Sequence, residues 1–104
     1  MVRYDTKILA STDGTKIYAE AVGNPGHPAL VLVHGLGLTG AAFDKQFEDP
    51  RLSDSLYLVR YDMRGHGRSG MPVEAAAYES IRHAQDFKVI CEAYGLVKPN
   101  VLAW

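Results

Sequence analysis

Two continuous apolar runs, each followed directly by a glycine-rich segment, constrain the fold of this chain more than any other feature. The runs are residues 29–33 and 56–61, and the segments that follow are residues 34–40 and 62–70. Runs of this kind are typical of strands buried on both faces, as in parallel sheets. Since the functional loops of such sheets lie at the carboxyl ends of the strands, we expect both glycine-rich segments at one edge.

The rest of the apolar pattern adds a hairpin and a third core strand. An Asp13-Gly14 pair separates apolar-rich runs at residues 7–11 and 16–22, which predicts an antiparallel hairpin. Residues 100–104 form a further apolar run that predicts a third core strand.

Two stretches between the core strands have apolar residues at helical spacing. The pattern predicts a short helix over residues 41–48, ended by Pro50. It predicts an amphipathic helix over residues 80–94, with Ser80 as its N-cap and Gly95 as its C-terminal stop. Its apolar face is expected to consist of Ala84, Phe87, Ile90, Cys91 and Tyr94. Strands that alternate with helices indicate the α/β class. We therefore expect a mostly parallel sheet with an N-terminal antiparallel hairpin.

Composition narrows the classes of function. The 104 residues carry a formal net charge of −1 and are 47% hydrophobic, which suits one soluble globular domain. This balance gives no electrostatic reason to expect nucleic acid or a membrane surface as a partner. The only cysteine, Cys91, excludes an internal disulfide and a cysteine metal cluster. Asp5 places an acid where a signal peptide would begin, so we expect a cytoplasmic protein.

The first glycine-rich loop, His34-Gly35-Leu36-Gly37, follows a predicted strand directly. Glycines let the backbone approach a ligand closely and aim N–H groups at a developing negative charge. The alternative is an ordinary turn between a strand and a helix. We expect His34 to hydrogen-bond within its own loop rather than to act as a general base, because its position favours scaffolding.

The second loop, residues 61–70, contains the spacing G-x-G-x-x-G from Gly65 to Gly70. A dinucleotide fingerprint requires those glycines to open a helix, whereas Met71-Pro72 follows here, so we do not expect nucleotide binding. Asp62 either pairs with Arg64 or binds backbone N–H groups, and we favour a structural role for it. Ser69 is interpreted as a loop residue, because no G-x-S-x-G surrounds it.

Three segments together resemble the α/β-hydrolase family. Residues 31–37 resemble the strand and "HG" oxyanion loop of that family, and residues 61–69 resemble its Y-D-x-R-G-x-G-x-S loop. Residues 99–104 resemble the strand that leads into its nucleophile elbow, with Ala103 in place of the first elbow glycine. The resemblance implies that residues 1–104 are the N-terminal part of a single hydrolase domain.

The resemblance also implies roles for individual residues. The backbone N–H of Leu36 would be one oxyanion-hole donor, shaped by Gly35 and Gly37. His34, Asp62 and Trp104 would be scaffold around the site. The triad nucleophile, acid and base would follow residue 104, so that none of the four histidines would be the base. These are His27, His34, His66 and His83.

We therefore expect the N-terminal segment of a serine hydrolase that acts on a small-molecule ester, lactone, thioester or amide through an acyl-enzyme. An aspartate nucleophile, as in dehalogenases and epoxide hydrolases, is an alternative, and a truncated, non-catalytic binding or interaction module is another. No cofactor or metal is implied. The chain is expected to be incompetent alone and to pair with a complementary C-terminal segment, or with itself, through the exposed edge of the Val101 strand.

Overall fold

A five-stranded mixed sheet brings both glycine-rich loops to one edge. A computed structural model describes residues 4–104. The strands lie in the order β1-β2-β4-β3-β5. They are β1 (Asp5–Ala10), β2 (Lys16–Gly23), β3 (Ala29–Val33), β4 (Tyr57–Tyr61) and β5 (Asn100–Ala103). The β1–β2 and β2–β4 pairings are antiparallel, and the β4–β3 and β3–β5 pairings are parallel.

The helices lie on both faces of this sheet. Two short ones follow β3, and a longer one follows the second loop. They are α1 (Asp44–Phe47), α2 (Pro50–Ser53) and α3 (Ser80–Ala93), with single 3₁₀ turns at Gly40–Phe43 and Ala75–Tyr78. None of the helices within residues 4–104 has the length and apolar character needed to cross a bilayer. Residues 1–3, on which part of the signal-peptide prediction depends, lie outside the described residues.

The central strand β4 explains why its sequence run is continuously apolar. All five of its residues are buried, because strands flank it on both sides and helices cover both faces. Val59 belongs to the core beneath α3, whereas Leu58 belongs to the core beneath the first 3₁₀ turn and α1. In β3, Val31 and Leu32 divide between the same two cores and are fully buried. The predicted α/β class is thereby confirmed.

The short helices correct two predictions. The predicted helix over residues 41–48 is a 3₁₀ turn that passes into α1 and ends at Phe47. Pro50 does not end that helix but begins α2. Asp49 is the N-cap of α2, its side chain accepting from the Arg51 N–H at 2.9 Å. A capping aspartate followed by proline at the first helical position is a favourable start for a helix.

The long helix corrects two further predictions and confirms one. Glu79 occupies the N-cap without a side-chain hydrogen bond, so Ser80 is the first helical residue rather than the cap. Gly95, with φ of +67°, ends the helix as predicted. Ala84, placed on the apolar face from its spacing, is exposed, whereas Asp86 is buried. A buried aspartate in this position requires a partner.

That partner is Arg64, which is fully buried at the start of the second loop. Its guanidinium donates to both carboxylate oxygens of Asp86 at 2.7 Å. It also donates to both oxygens of Asp13, at 2.8 and 3.2 Å, and to the Ala77 carbonyl at 2.8 Å. All five N–H groups of the arginine are thus satisfied. Ser11 donates its hydroxyl to Asp86 and completes the network.

The network connects three distant parts of the chain. Asp13 lies in the hairpin turn, Arg64 lies in the second loop, and Asp86 lies on α3. The hydrogen bonds that Arg64 donates to Asp86 raise the pKa of Arg64, and those that it donates to Asp13 hold the pKa of Asp13 well below its usual range. Folding therefore favours the ionised forms of Arg64 and Asp13.

The free edge of β5 lies at the end of the sheet. Val101 is in register with Val31, as expected for strands side by side. Within residues 4–104, β5 pairs with β3 alone. Its apolar side chains are half exposed, at 50% for Val101 and 49% for Leu102. An unpaired apolar edge of this kind is a surface on which another strand can add.

Replacing Arg64 by Met is expected to destabilise the protein by about 3–5 kcal/mol, because Asp86 then keeps a buried charge without its partner. The double variant Arg64→Met/Asp86→Leu should be more stable than Arg64→Met alone. Chemical denaturation measures the difference. Arg51→Met, which breaks the exposed Arg51–Asp49 pair, is the matched control and should have little effect. If the double variant lost as much stability as the two single variants combined, Arg64 and Asp86 would not interact as a buried ion pair.

The contribution of Asp13 to the free energy of unfolding should decrease as the pH is lowered. Its lowered pKa means that the unfolded chain binds this proton more readily than the folded chain. Asp13 therefore stabilises the folded protein above about pH 4, which is the ordinary pKa of an aspartate, and this stabilisation is lost as the pH falls further. Asp13→Asn should flatten the pH dependence of stability there. The exposed Asp54→Asn serves as the control, and an equal flattening by both variants would refute the assignment.

Candidate active site

The first loop is a tight turn that the chain closes with a hydrogen bond from the Leu38 N–H to the Gly35 carbonyl, at 3.1 Å. Gly37, the third residue of the turn, has φ of +81°, whereas Leu36 is not among the residues with positive φ. This combination defines a type II turn, in which glycine is favoured at the third position. The turn raises Leu36 out of the surface, so that its side chain is 93% exposed.

The turn leaves one backbone donor available and occupies the next. Within residues 4–104, the Leu36 N–H has no hydrogen-bond acceptor. The neighbouring Gly37 N–H donates to Nε2 of His66 at 3.0 Å. Of the two neighbouring backbone donors, the Leu36 N–H is therefore unpaired, and the Gly37 N–H is not.

His34 lies beneath this turn and is buried. Its Nε2 accepts from the Met63 N–H at 2.9 Å, so the proton lies on Nδ1, which donates to the Gly35 carbonyl at 2.8 Å. Both ring nitrogens are engaged with the backbone. This geometry gives His34 no free nitrogen for proton transfer in the folded protein.

Asp62, at the end of β4, connects the two loops. Its carboxylate accepts from the Gly40 N–H at 2.7 Å and from the Arg68 N–H at 2.9 Å. Of the two alternatives for this residue, the structure shows binding to backbone N–H groups, since Arg64 bonds to Asp13 and Asp86. Gly67 passes so close to Asp62 that an added Cβ would overlap the carboxylate.

The second loop folds back on itself and on β2. Gly65 donates its N–H to the Gly70 carbonyl at 2.8 Å. Ser69 donates its hydroxyl to the Asp62 carbonyl and accepts from the Tyr18 N–H at 3.0 Å. The next helical turn begins only at Ala75, so these glycines do not open a helix as a nucleotide fingerprint requires.

Trp104 brings the end of β5 against the first loop. Its N–H donates to the Val33 carbonyl at 3.0 Å. A Cβ added to Gly35 would lie 3.3 Å from the Trp104 carbonyl oxygen, which leaves little room for any larger residue there. The six residues that the sequence singled out thus lie around the carboxyl ends of β3, β4 and β5. They are His34, Gly35, Leu36, Gly37, Asp62 and Trp104.

A polar cavity of about 320 Å³ lies on the β2 side of Asp62 and does not include Leu36. Its buried Arg60 is paired with Glu20 at 3.0 Å and with Asp44 at 2.7 Å. These charges satisfy one another, which indicates a structural role. Within residues 4–104, no three His, Cys, Asp or Glu side chains are grouped as metal ligands would be.

Sequence reasoning missed two contributions. It considered His66 only as a histidine that would not be the triad base, and it overlooked Asp86 as the partner of Arg64. The spacing of Asp86 on a helix offers no indication of an ion pair with a loop 22 residues earlier. His66 carried a weak indication, since it lies between Gly65 and Gly67 in the second loop.

Gly37 and Gly67 both have positive φ, but only Gly67 has close neighbours, so alanine substitutions at the two positions distinguish backbone strain from steric overlap. Gly37 has open space where a Cβ would lie, so Gly37→Ala should cost only conformational strain, about 1 kcal/mol. Gly67→Ala adds overlap with Asp62 and Thr39 to a similar strain and should cost clearly more. Thermal or chemical unfolding of the two variants tests this order. Equal losses would show that Asp62 is not held against Gly67.

Comparison with known proteins agrees with this geometry. The family described as "alpha/beta hydrolase fold" matches residues 28–104. "Probable oxidoreductase EphD" of Mycobacterium tuberculosis is 36% identical over 85 residues, which are 82% of this chain and 14% of that protein. "Epoxide hydrolase A" of the same species is 30% identical over 91 residues, 86% of this chain and 28% of that protein.

A solved structure gives the same result. The crystal structure of a "putative aryl esterase" from Burkholderia cenocepacia has a TM-score of 0.89 and 34% identity, and the match covers 96% of this chain and 37% of that chain. The chain thus spans well under half the length of each of these relatives. With the matched family model covering most of its residues, the chain belongs to the α/β-hydrolase fold family.

Proposed function

We propose that this chain supplies the oxyanion-hole loop of a serine hydrolase that cleaves a small-molecule ester, lactone, thioester or amide. The observation that carries the proposal is the N–H of the exposed residue Leu36, which has no acceptor within residues 4–104 and lies in a closed turn. Preorganised backbone donors of this kind stabilise the negative charge that develops during acyl transfer.

The position of β5 supports the proposal that a nucleophile lies beside the Leu36 N–H. Ala103 is in register with Val33, and Trp104 bonds to the Val33 carbonyl. A residue that follows Trp104 would therefore enter next to Gly35 and Leu36. This is where the family resemblance places the nucleophile, with the second oxyanion donor on the residue after it.

The mechanism follows from this arrangement. The serine hydroxyl attacks the substrate carbonyl while a histidine takes its proton, and the Leu36 N–H binds the resulting oxyanion. Collapse of the tetrahedral intermediate releases the alcohol, thiol or amine, which receives the proton. Water then hydrolyses the acyl-enzyme in the same way. The triad would come from residues outside the described range, and the free edge of β5 would receive a strand of that same segment.

An aspartate nucleophile that opens an epoxide is the second candidate. The identity with epoxide hydrolase A of Mycobacterium tuberculosis favours it. In that chemistry the Leu36 N–H would act later, when water attacks the ester formed between the aspartate and the substrate. The likeness to the Burkholderia cenocepacia structure supports the serine reaction instead. Inhibition by a serine-reactive phosphonate distinguishes the two, since it requires a serine nucleophile.

Leu36→Pro tests the donor directly. Proline is favoured at the second position of a type II turn but has no N–H, so the turn persists while the donor is lost. We expect the hydrolysis of p-nitrophenyl esters by the complete protein to fall about 100-fold in kcat, with little change in KM.

Leu36→Ala is the matched control, because it truncates the exposed side chain and keeps the N–H. Its kcat should stay close to that of the wild type. Equal activity of the two variants would remove the oxyanion role of Leu36. A wild-type protein that cleaves neither esters nor epoxides would favour the non-catalytic binding module.

A further inference from the structure

His66 binds the peptide on which the conformation of the first loop depends. Its Nε2 accepts from the Gly37 N–H at 3.0 Å, across 29 residues of sequence. That N–H belongs to the Leu36–Gly37 peptide, which is the central peptide of the type II turn. Type I and type II turns differ mainly in the orientation of this peptide.

The turn by itself does not determine that orientation. Glycine adopts positive and negative φ about equally well, so Gly37 permits both turn types. In the type I orientation the Gly37 N–H would point away from His66, and the Leu36 carbonyl oxygen would face the lone pair of Nε2. The imidazole therefore favours the type II orientation by one hydrogen bond gained and one repulsion avoided.

The tautomer of His66 is set by its own loop. Its Nδ1 lies 3.0 Å from the Arg64 carbonyl, to which it donates, so Nε2 is left as an acceptor. The His34 ring lies 5.0 Å away and makes the reverse connection, since it accepts from the Met63 N–H of the second loop. Each loop thus contributes one neutral histidine that accepts a backbone N–H of the other loop.

We propose that His66 is a positioning residue for the oxyanion hole: by accepting from the Gly37 N–H it holds the turn that carries the Leu36 N–H. His66 touches no reacting atom in this role. The proposal adds a residue to the function proposed above, and its consequence for catalysis rests on that function. Its structural part, the locked turn, does not.

Two substitutions in the complete protein separate the acceptor from the ring. His66→Gln places an amide oxygen near the position of Nε2, whereas His66→Leu has no acceptor. We expect His66→Leu to lower kcat for a p-nitrophenyl ester about 10- to 100-fold with KM nearly unchanged, because the turn that carries the donor is then no longer held in one conformation. His66→Gln should stay within about threefold of the wild type. Equal losses in both variants, or a loss confined to KM, would overturn the proposal.

Gly37→Ala perturbs the same hydrogen bond at its donor rather than at its acceptor. It can replace His66→Leu in the test if that variant folds poorly. Alanine disfavours positive φ and so favours the type I orientation. We expect a loss of kcat similar to that of His66→Leu. The double variant should lose little more than the worse single variant, since both changes release one peptide. If the factors by which the two single variants lower kcat multiplied in the double variant, the two residues would not act through the same peptide.

Hydrogen exchange of the Gly37 amide tests the locked turn without any assay of activity. The amide should exchange slowly in the wild type and in His66→Gln, and much faster in His66→Leu. Fast exchange in the wild type would overturn the proposal. If the wild type shows slow exchange but no hydrolysis, the proposed function fails while the role of His66 in holding the loop stands.

Discussion

The rest of this structure depends on the buried guanidinium of Arg64. A cation without solvent exposure is costly unless carboxylates and hydrogen bonds satisfy it completely. Here Asp13, Ala77 and Asp86 provide those acceptors from the hairpin turn, a 3₁₀ turn and α3. Since the five N–H groups are all matched at once, the hydrogen bonds hold these segments together around the start of the second loop.

The site inherits its geometry from this arrangement. The Arg64 carbonyl accepts from His66, and His66 accepts from Gly37, so the buried ion pair is continuous with the turn that carries Leu36. Asp62 makes a second connection between the loops through the Gly40 and Arg68 N–H groups. The first loop is thus held by residues of the second loop, in addition to its own turn. Preorganisation of this kind is what oxyanion stabilisation requires.

Local patterns predicted the strands well and the short helices poorly. Residues 29–33 form β3 as expected, because burial on both faces leaves a continuous apolar run that no other element of this length explains. The stretch after the first loop was predicted less accurately, since apolar spacing alone predicts one helix over residues 41–48, where the structure has a 3₁₀ turn followed by α1. The Asp49-Pro50 pair is a favourable cap and first residue for α2, whereas the apolar spacing before it predicts only that a helix stops at Pro50.

The sequence by itself determined the core strands, the glycine turn around Gly37 and the family to which the loops belong, because each depends on residues close together in the chain. Only the tertiary structure decided that Asp86 is buried against Arg64, that His66 accepts from Gly37, and that the Leu36 N–H has no acceptor within residues 4–104. These partners lie 22 and 29 residues apart in sequence. A hydrogen bond across such a distance depends on how the elements pack, and the periodicity of a single element does not encode that packing.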